Sequence, residues 1–491
     1  MNEAPRALSS SSPQRAAVLR WGLLFLISLA ALWLRTADLA ARPMHADEAN
    51  QAVKTGVLLE TGAYAFDPLD HHGPTLYYAA LPIAWLRGQR TLAALDETTV
   101  RLVPALAGTL AVFLLAWLAA PLGRWPALGA AALLAVSPPA VYYSRYFVQE
   151  TLLVTFTLAT FCGARAWWQT GRIRWALATG ASVGLMLATK ASAPIFLLAA
   201  IAALALARLL PPRPANFGRG ALLIVVTALL VAAIFYSSFG THWRGLSDAL
   251  ASFTLIGARV TGDTGHEKPW WYYLALFGWQ QNGGLVWQQL AFSTAALAGL
   301  VFAIFSSAKF LRWAALFTVL VTLALSCVAY KTPWHAIHLV PGFALLAVGA
   351  LAALRRPVLA VPLFAFVVVS LALQTRLAVF QRAADARNPY AYVHSSPDVK
   401  KFHAVVAAAR AQFPSEPVHI IGEEYWPLPW YLRDVSAVGY WPAPPEACDG
   451  AAIIATTTQA DAVRARLRGR YRESFLGLRP GVLCVVFTRE P

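Results

Sequence analysis

The residues able to do chemistry gather in a few polar islands within an otherwise apolar chain. The richest is Met44-His45-Ala46-Asp47-Glu48-Ala49-Asn50, where two carboxylates stand side by side. A carboxylate held beside a substrate hydroxyl acts as a general base, a contribution of about 10² to 10⁴ in rate. The plain alternative is a helix N-terminus, where acids are favoured by the macrodipole. A second island, Phe66-Asp67-Pro68-Leu69-Asp70-His71-His72-Gly73-Pro74-Thr75-Leu76-Tyr77-Tyr78, is rich in turn formers and carries two histidines. Three more follow: Tyr143-Ser144-Arg145 with Glu150, Thr189-Lys190, and Tyr330-Lys331-Thr332-Pro333-Trp334-His335. Arg145, Lys190 and Lys331 bring positive charge, which a departing phosphate requires, so an anionic lipid head group suits them. Taken singly, Arg145 could pair with Glu150, and the lysines could snorkel to lipid head groups.

Composition says what must position these islands. With 58% hydrophobic and 13% charged residues and a mean hydropathy of +0.54, the chain is far from the roughly 25% charged content of soluble domains. Apolar runs close to the ~20 residues that cross hydrocarbon recur at 18–34, 100–120, 127–142, 151–168, 175–188, 193–210, 221–239, 285–305, 311–329, 336–354 and 358–380. A polytopic α-helical membrane protein of about eleven spans is predicted. The first run reads as a retained helix rather than a cleaved signal peptide, and the short run 76–86 as a helix lying on or dipping into the membrane.

Alternate loops segregate by charge. One set holds Arg6, Arg15, Arg20, Arg124, Arg172, Arg174, Arg208, Arg213, Arg219, Lys309, Arg312, Arg355 and Arg356 against the single acid Glu3, so it faces the cytoplasm together with the N-terminus. The other set includes the acid-rich first outer loop, residues 36–98, and faces outward from a plasma (inner) membrane. The net charge of +16 is spread over short loops rather than gathered on one face, which argues against nucleic-acid binding. The transmembrane part spans 1–380. Residues 381–491 read as a small extracytoplasmic α/β domain with helices near 398–412 and 460–470 and strands at 418–421, 451–456 and 482–488. A disulfide between Cys448 and Cys484 is permitted there, without spacing to prove it.

All the islands fall on one membrane face. Ionisable residues at membrane depth are costly and mark a pathway or a site. Arg145 and Lys331 are therefore expected beside Asp47 around one outward-opening cavity. There Asp47 would take the proton of an attacking hydroxyl, while Lys190, Lys331, Arg145 and His72 stabilise a leaving lipid phosphate.

With these residues the chain resembles the polytopic glycosyltransferases of the GT-C class, the protein O-mannosyltransferase and aminoarabinose-transferase superfamily. It resembles more closely their flippase-activity-associated subgroup. The resemblance rests on His45-Ala46-Asp47-Glu48-Ala49, His71-His72-Gly73-Pro74-Thr75-Leu76-Tyr77-Tyr78, Tyr143-Ser144-Arg145, Thr189-Lys190 and Tyr330-Lys331-Thr332-Pro333-Trp334 running on to Pro341. For the subgroup it also rests on Asn388-Pro389-Tyr390-Ala391-Tyr392-Val393-His394 and Tyr425-Trp426-Pro427-Leu428-Pro429-Trp430-Tyr431. It implies transfer of a sugar from a polyprenyl-phosphate donor to a glycan, lipid or protein acceptor outside the cytoplasm; direct displacement by the acceptor would invert the anomeric carbon. It further implies Asp47 as catalytic base and Glu48 as its supporting carboxylate; His72, Arg145, Lys190, Lys331 and His335 are expected as substrate-binding residues from their charge and their shared membrane face. The chain has His72-Gly73-Pro74 where the aminoarabinose transferases have Lys-Pro-Pro, and Asn50 where an Arg often follows their Asp-Glu pair.

No cofactor is expected, although His45, Asp47, His71 and His72 are ligand types for a divalent metal. No Gly-rich phosphate loop follows a strand, so nucleotide-sugar machinery is absent from the reading. Two rival classes stay open. A transporter or flippase would show internal repeats and paired broken spans, which the sequence lacks; a non-catalytic lipid-glycan-binding subunit would not depend on Asp47. Trp270-Trp271-Tyr272-Tyr273 could stack on a sugar or belong to an interfacial aromatic belt.

Overall fold

In hydrocarbon the backbone must satisfy its own hydrogen bonds, so long apolar segments fold as helices. The computed structural model describes residues 13–69, 72–208, 212–261 and 266–491. Its helical body comprises α1 (Pro13–Thr36), α2 (Ala46–Thr61), α3 (Thr75–Leu86), α4 (Glu97–Leu118), α5 (Arg124–Val136), α6 (Pro138–Tyr143), α7 (Glu150–Thr170), α8 (Ile173–Leu187), α9 (Ala193–Leu206), α10 (Phe217–Tyr236), α11 (Arg244–Thr261), α12 (Tyr272–Phe277), α13 (Leu290–Phe305), α14 (Lys309–Cys327), α15 (Val340–Ala353) and α16 (Pro357–Thr375). Among the described residues six helices are long and apolar enough to cross a membrane: Ala17–Thr36, Glu97–Leu118, Phe217–Tyr236, Lys309–Cys327, Pro333–Ala353 and Pro357–Gln381. Helices α5, α8, α9 and α13 are apolar but shorter. The chain is a multi-pass membrane protein.

Two expected spans differ from what the chain does. The run 127–142 breaks after Val136, where Ser137 is extended (φ −67, ψ 128). A residue before proline is pushed out of the helical region, and Pro138-Pro139 then start α6. The run 285–305 opens as a strand: β2 (Leu285–Gln288) pairs antiparallel with β1 (Trp279–Asn282) around Gly283 and Gly284, both at positive φ, so α13 begins only at Leu290.

Close helix packing positions the segment that ends in Lys190. Gly180 and Gly184 of α8, one turn apart, face α10; a Cβ at either would lie 2.6 Å from the carbonyl oxygen of Ile224 or Ala228. Small residues at this spacing let backbones approach and hold the register of the pair.

After α16 the chain builds α17 (Val399–Gln412), β3 (Val418–Ile421), α18 (Leu428–Tyr431), β4 (Val438–Trp441), β5 (Ala452–Thr456), α19 (Ala460–Arg464), β6 (Tyr471–Arg479) and β7 (Val482–Arg489). The sheet order is β4-β3-β5-β7-β6, with β4, β3 and β5 parallel and β7 and β6 antiparallel. Strands β4 and β6 were not expected, and α19 stops short of residue 470. Side chains alternate between the sheet's faces. Ile454, Cys484 and Val486 pack with α17, whereas Ile453, Val485 and Phe487 pack with Cys448 on the other side. Both cysteines are free, and the permitted bridge does not form because the sheet lies between them. The cluster on the α17 face continues through Trp430 to Met44, Ala49, Leu76 and Val100, so the sheet sits on helices α2, α3 and the start of α4.

Candidate active site

Glu48 is fully buried and is the hub of the segment between α1 and α4. It accepts from Arg42 at 2.8 and 3.0 Å and from Arg101 at 2.9 and 3.0 Å. It also accepts from the backbone N–H of His45 at 3.1 Å and of Phe147 at 3.0 Å. Burial pushes its carboxyl pKa up, but Arg101 and Arg42 outweigh burial and hold it well below the usual carboxylate range. Arg101 further donates to the carbonyls of Leu39, Arg42 and Pro43, tying residues 39–48 to α4. With no exposed surface, Glu48 cannot touch a substrate; its geometry makes it a positioning residue.

What it positions is the N-terminus of α2, and with it Asp47. His45 is the N-cap: its Nδ1 accepts from the Asp47 backbone N–H at 3.1 Å, while Nε2 lies 3.1 Å from the carbonyl oxygen of Tyr392. A carbonyl only accepts, so the proton sits on Nε2 and the ring is neutral. The cap is therefore supplied by His45 together with Glu48, and the Asp47 carboxylate is not spent on it. That carboxylate forms no hydrogen bond or ion pair with a described residue, is exposed, and faces a cavity. His394 completes the wiring: its Nε2 is 2.8 Å from Arg42 Nη1, a pure donor, and its Nδ1 is 3.0 Å from the Ser395 carbonyl. Burial and the adjacent Arg42 guanidinium keep this histidine's pKa well below its usual value.

Another part of the wall is built around Lys190. The loop after His72 lies along the end of α8: Gly73 N–H donates to Thr189 O at 3.1 Å and Thr75 N–H to Ala188 O at 3.3 Å. A Cβ at Gly73 would stand 2.0 Å from Ala188 O, so only glycine lets His72 and Lys190 come together. The Lys190 ammonium is ion-paired to Glu150, the first residue of α7, and lies 3.3 Å from His335 Nε2. An ammonium only donates, so His335 Nε2 accepts and Nδ1 carries the proton toward Tyr273 Oη at 3.2 Å. His338, one turn on, packs against Phe196 in a tilted pair with ring centroids 4.5 Å apart.

A cavity of about 350 Å³ joins the two parts. Asp47, His72, Lys190, His335, His338, Tyr273, Tyr330 and Trp334 line it, and Ile195, Phe196, Leu325 and Val328 supply an apolar side. Of the residues expected at the site, Asp47, His72, Lys190 and His335 come together here. Arg145 and Lys331 do not line it. Arg145 donates to the carbonyls of Leu34 at 3.1 Å and Asp38 at 3.3 Å, over the Phe380 ring, and so closes the end of α1. Lys331 donates to the carbonyls of Lys268, at 3.1 Å, and Val328, stapling two loops. Glu150, the partner considered for Arg145, pairs with Lys190 instead.

Sequence reasoning missed Arg42, Arg101 and His338; Tyr273 entered it only within an aromatic quartet and His394 only within a motif, neither with its place here. Arg101 had a visible signal, a charge inside an apolar helix. In the aromatic quartet, Trp270 and Trp271 are exposed while Tyr273 turns into the cavity. Among the described residues no three His, Cys, Asp or Glu side chains cluster as a metal site, and both nitrogens of His45 are taken. His71 lies outside the described residues.

A family model described as dolichyl-phosphate-mannose-protein mannosyltransferase matches residues 83–237, a stretch that contains Glu150 and Lys190 but not Asp47. No curated protein matches the chain. The structure is similar to ArnT from Cupriavidus metallidurans, with a TM-score of 0.66 in the apo state and 0.61 bound to undecaprenyl phosphate. Identity is 14%, over 97% of this chain and 98% of that one. The chain carries the GT-C fold. The archaeal oligosaccharyltransferase AglB from Archaeoglobus fulgidus, in complex with an inhibitory peptide and a dolichol-phosphate, shares this GT-C fold with a TM-score of 0.57. Its identity is 13%, over 94% of this chain and 73% of that one.

Proposed function

We propose that this GT-C chain is a membrane glycosyltransferase that moves a sugar from a polyprenyl-phosphate carrier to an acceptor hydroxyl on the extracytoplasmic side. One observation carries the reading: a single cavity is lined both by an uncommitted carboxylate, Asp47, and by a cation, Lys190, together with His72 and His335. The fold's relatives fit this chemistry, since ArnT has been solved with undecaprenyl phosphate and AglB with a dolichol-phosphate. The acceptor oxygen attacks the anomeric carbon and Asp47 takes its proton. The anomeric C–O bond breaks with its electron pair passing to the phosphate, beside Lys190. Direct displacement inverts the anomeric centre. Glu48 holds Asp47 in place through α2, His72 and His335 face the phosphate, and Arg145 and Lys331 support the surrounding loops.

The segregation of basic loops supports a cytoplasmic N-terminus, and the boundary near residue 380 supports an outward domain over residues 381–491. The narrower likeness to the flippase-activity-associated subgroup rests on the sequence motifs.

The decisive experiment compares purified wild type and Asp47→Asn with a polyprenyl-phosphate-sugar donor. Asparagine keeps the size of the carboxylate but cannot take the proton. Transfer is expected to fall by at least about 10² while undecaprenyl phosphate binding is kept. Transfer within a few-fold of wild type would reduce Asp47 to a structural residue and favour the non-catalytic binding subunit.

A further inference from the structure

The Lys190–Glu150 pair poses a problem for a phosphate site. The only lysine lining the cavity among the described residues is already ion-paired, to a carboxylate that is 2% exposed and does not itself line the cavity. Glu150 thus stands behind Lys190 on the side away from the ligand, with His335 Nε2 3.8 Å from the same carboxylate oxygen. A buried carboxylate normally needs its cation. Glu150 has a second support, because it is the first residue of the 21-residue α7 and its charge sits at the positive end of the helix dipole. Lys190 can therefore turn toward a phosphate without stranding Glu150.

The charge of the ligand changes during turnover. A sugar phosphodiester carries one negative charge, whereas the monoester released after transfer carries about −1.5 to −2 at neutral pH. A lone lysine would hold the spent carrier more tightly than the incoming donor and slow its release. We propose that Glu150 is the residue that limits this: it competes with the lipid phosphate for Lys190 and so sets the rate at which the spent carrier leaves. The proposal rests on the lipid-phosphate reading of the cavity. Glu150 acts through Lys190 and is a positioning residue.

The test measures undecaprenyl phosphate binding and donor kinetics on the purified full chain. Glu150→Gln removes the competing charge at nearly constant volume. It should bind undecaprenyl phosphate at least about tenfold more tightly, the scale of one charge-assisted hydrogen bond. KM for the donor should fall and kcat should fall with it, as release becomes limiting. Glu150→Asp, which draws the carboxylate back by one methylene, should tighten binding by a smaller factor, and it carries the test if the Gln variant does not fold. In a Lys190→Ala background Glu150→Gln should tighten nothing, because the competition has lost its object. Wild type that binds with both Glu150 variants no tighter overturns this proposal alone. Wild type that binds no undecaprenyl phosphate overturns the lipid-phosphate reading and this proposal with it.

Discussion

Two buried glutamates stand behind residues that line the cavity, Glu48 behind Asp47 and Glu150 behind Lys190, and they differ in one respect. Glu48 is closed on all sides by two arginines and two backbone N–H groups, and none of its partners reaches the cavity. Glu150 shares its lysine with the cavity. A sealed cluster of charges can only hold a shape, whereas an open one can exchange partners with a ligand. The lesson is that burial of an ion pair does not tell its use; what matters is whether one partner still has a free side.

The largest expected effect breaks the sealed cluster. Glu48→Gln leaves Arg42 and Arg101 buried without their counter-charge, and removing one partner of a buried pair costs about 3–5 kcal/mol. Thermal unfolding or native yield in detergent should show the loss. The sign of its pH dependence follows from the lowered pKa of Glu48. A carboxylate held below its unfolded value contributes stability that is complete above the unfolded carboxyl range and is lost as pH falls through the folded value. The gap between wild type and Glu48→Gln should thus be widest near neutral pH and shrink only in strong acid. An equal gap at all pH values would mean that packing, not charge, holds the loop.

A smaller effect, confined to the open side, is expected from Gly73→Ala. The added methyl meets Ala188 O at 2.0 Å, so the loop must lift and carry His72 away from Lys190. Undecaprenyl phosphate binding should weaken several-fold with little change in unfolding temperature. Weaker folding with unchanged binding would place Gly73 with the sealed cluster instead. The smallest effect is expected from Lys331→Met, which keeps the aliphatic stem and loses two carbonyl contacts. Donor KM should stay within about threefold, since the ammonium does not line the cavity. A tenfold rise in KM would return Lys331 to the phosphate site.

Much of this was legible in the sequence, for reasons that differ by residue. Asp47, His72, Lys190 and His335 were found because polar residues at the ends of apolar helices stand out and share a membrane face. The same signal brought in Arg145 and Lys331, because the cost of a cation near the membrane says nothing of its direction; both found backbone carbonyls instead of the cavity. Glu150 was seen but assigned to its sequence neighbour, and Lys190, its partner across 40 residues, is known only from the packing of α7 against α8. Helix positions were clear where apolar runs exceed a turn or two. They failed at Ser137-Pro138, where local backbone preference overrides hydropathy, and at 285–288, where an apolar strand looks like the start of a helix. Strand β6, Tyr-Arg-Glu-Ser-Phe-Leu-Gly-Leu-Arg, was missed because an edge strand with charged residues shows little alternation.

The two thiols on opposite faces of the C-terminal sheet offer a clock for its opening. Cys448 and Cys484 are 1% and 2% exposed, each pressed into a different hydrophobic cluster. A membrane-impermeant alkylating reagent can reach them only when the corresponding layer separates from the sheet. With Cys162 and Cys327 replaced, labelling of Cys484 times the parting of α17 from the sheet, and labelling of Cys448 times the release of α19 on the far side. If the face carrying α17 stays shut longer because the helices around Asp47 brace it from below, the two labels will appear at different rates, and the lag between them measures that bracing.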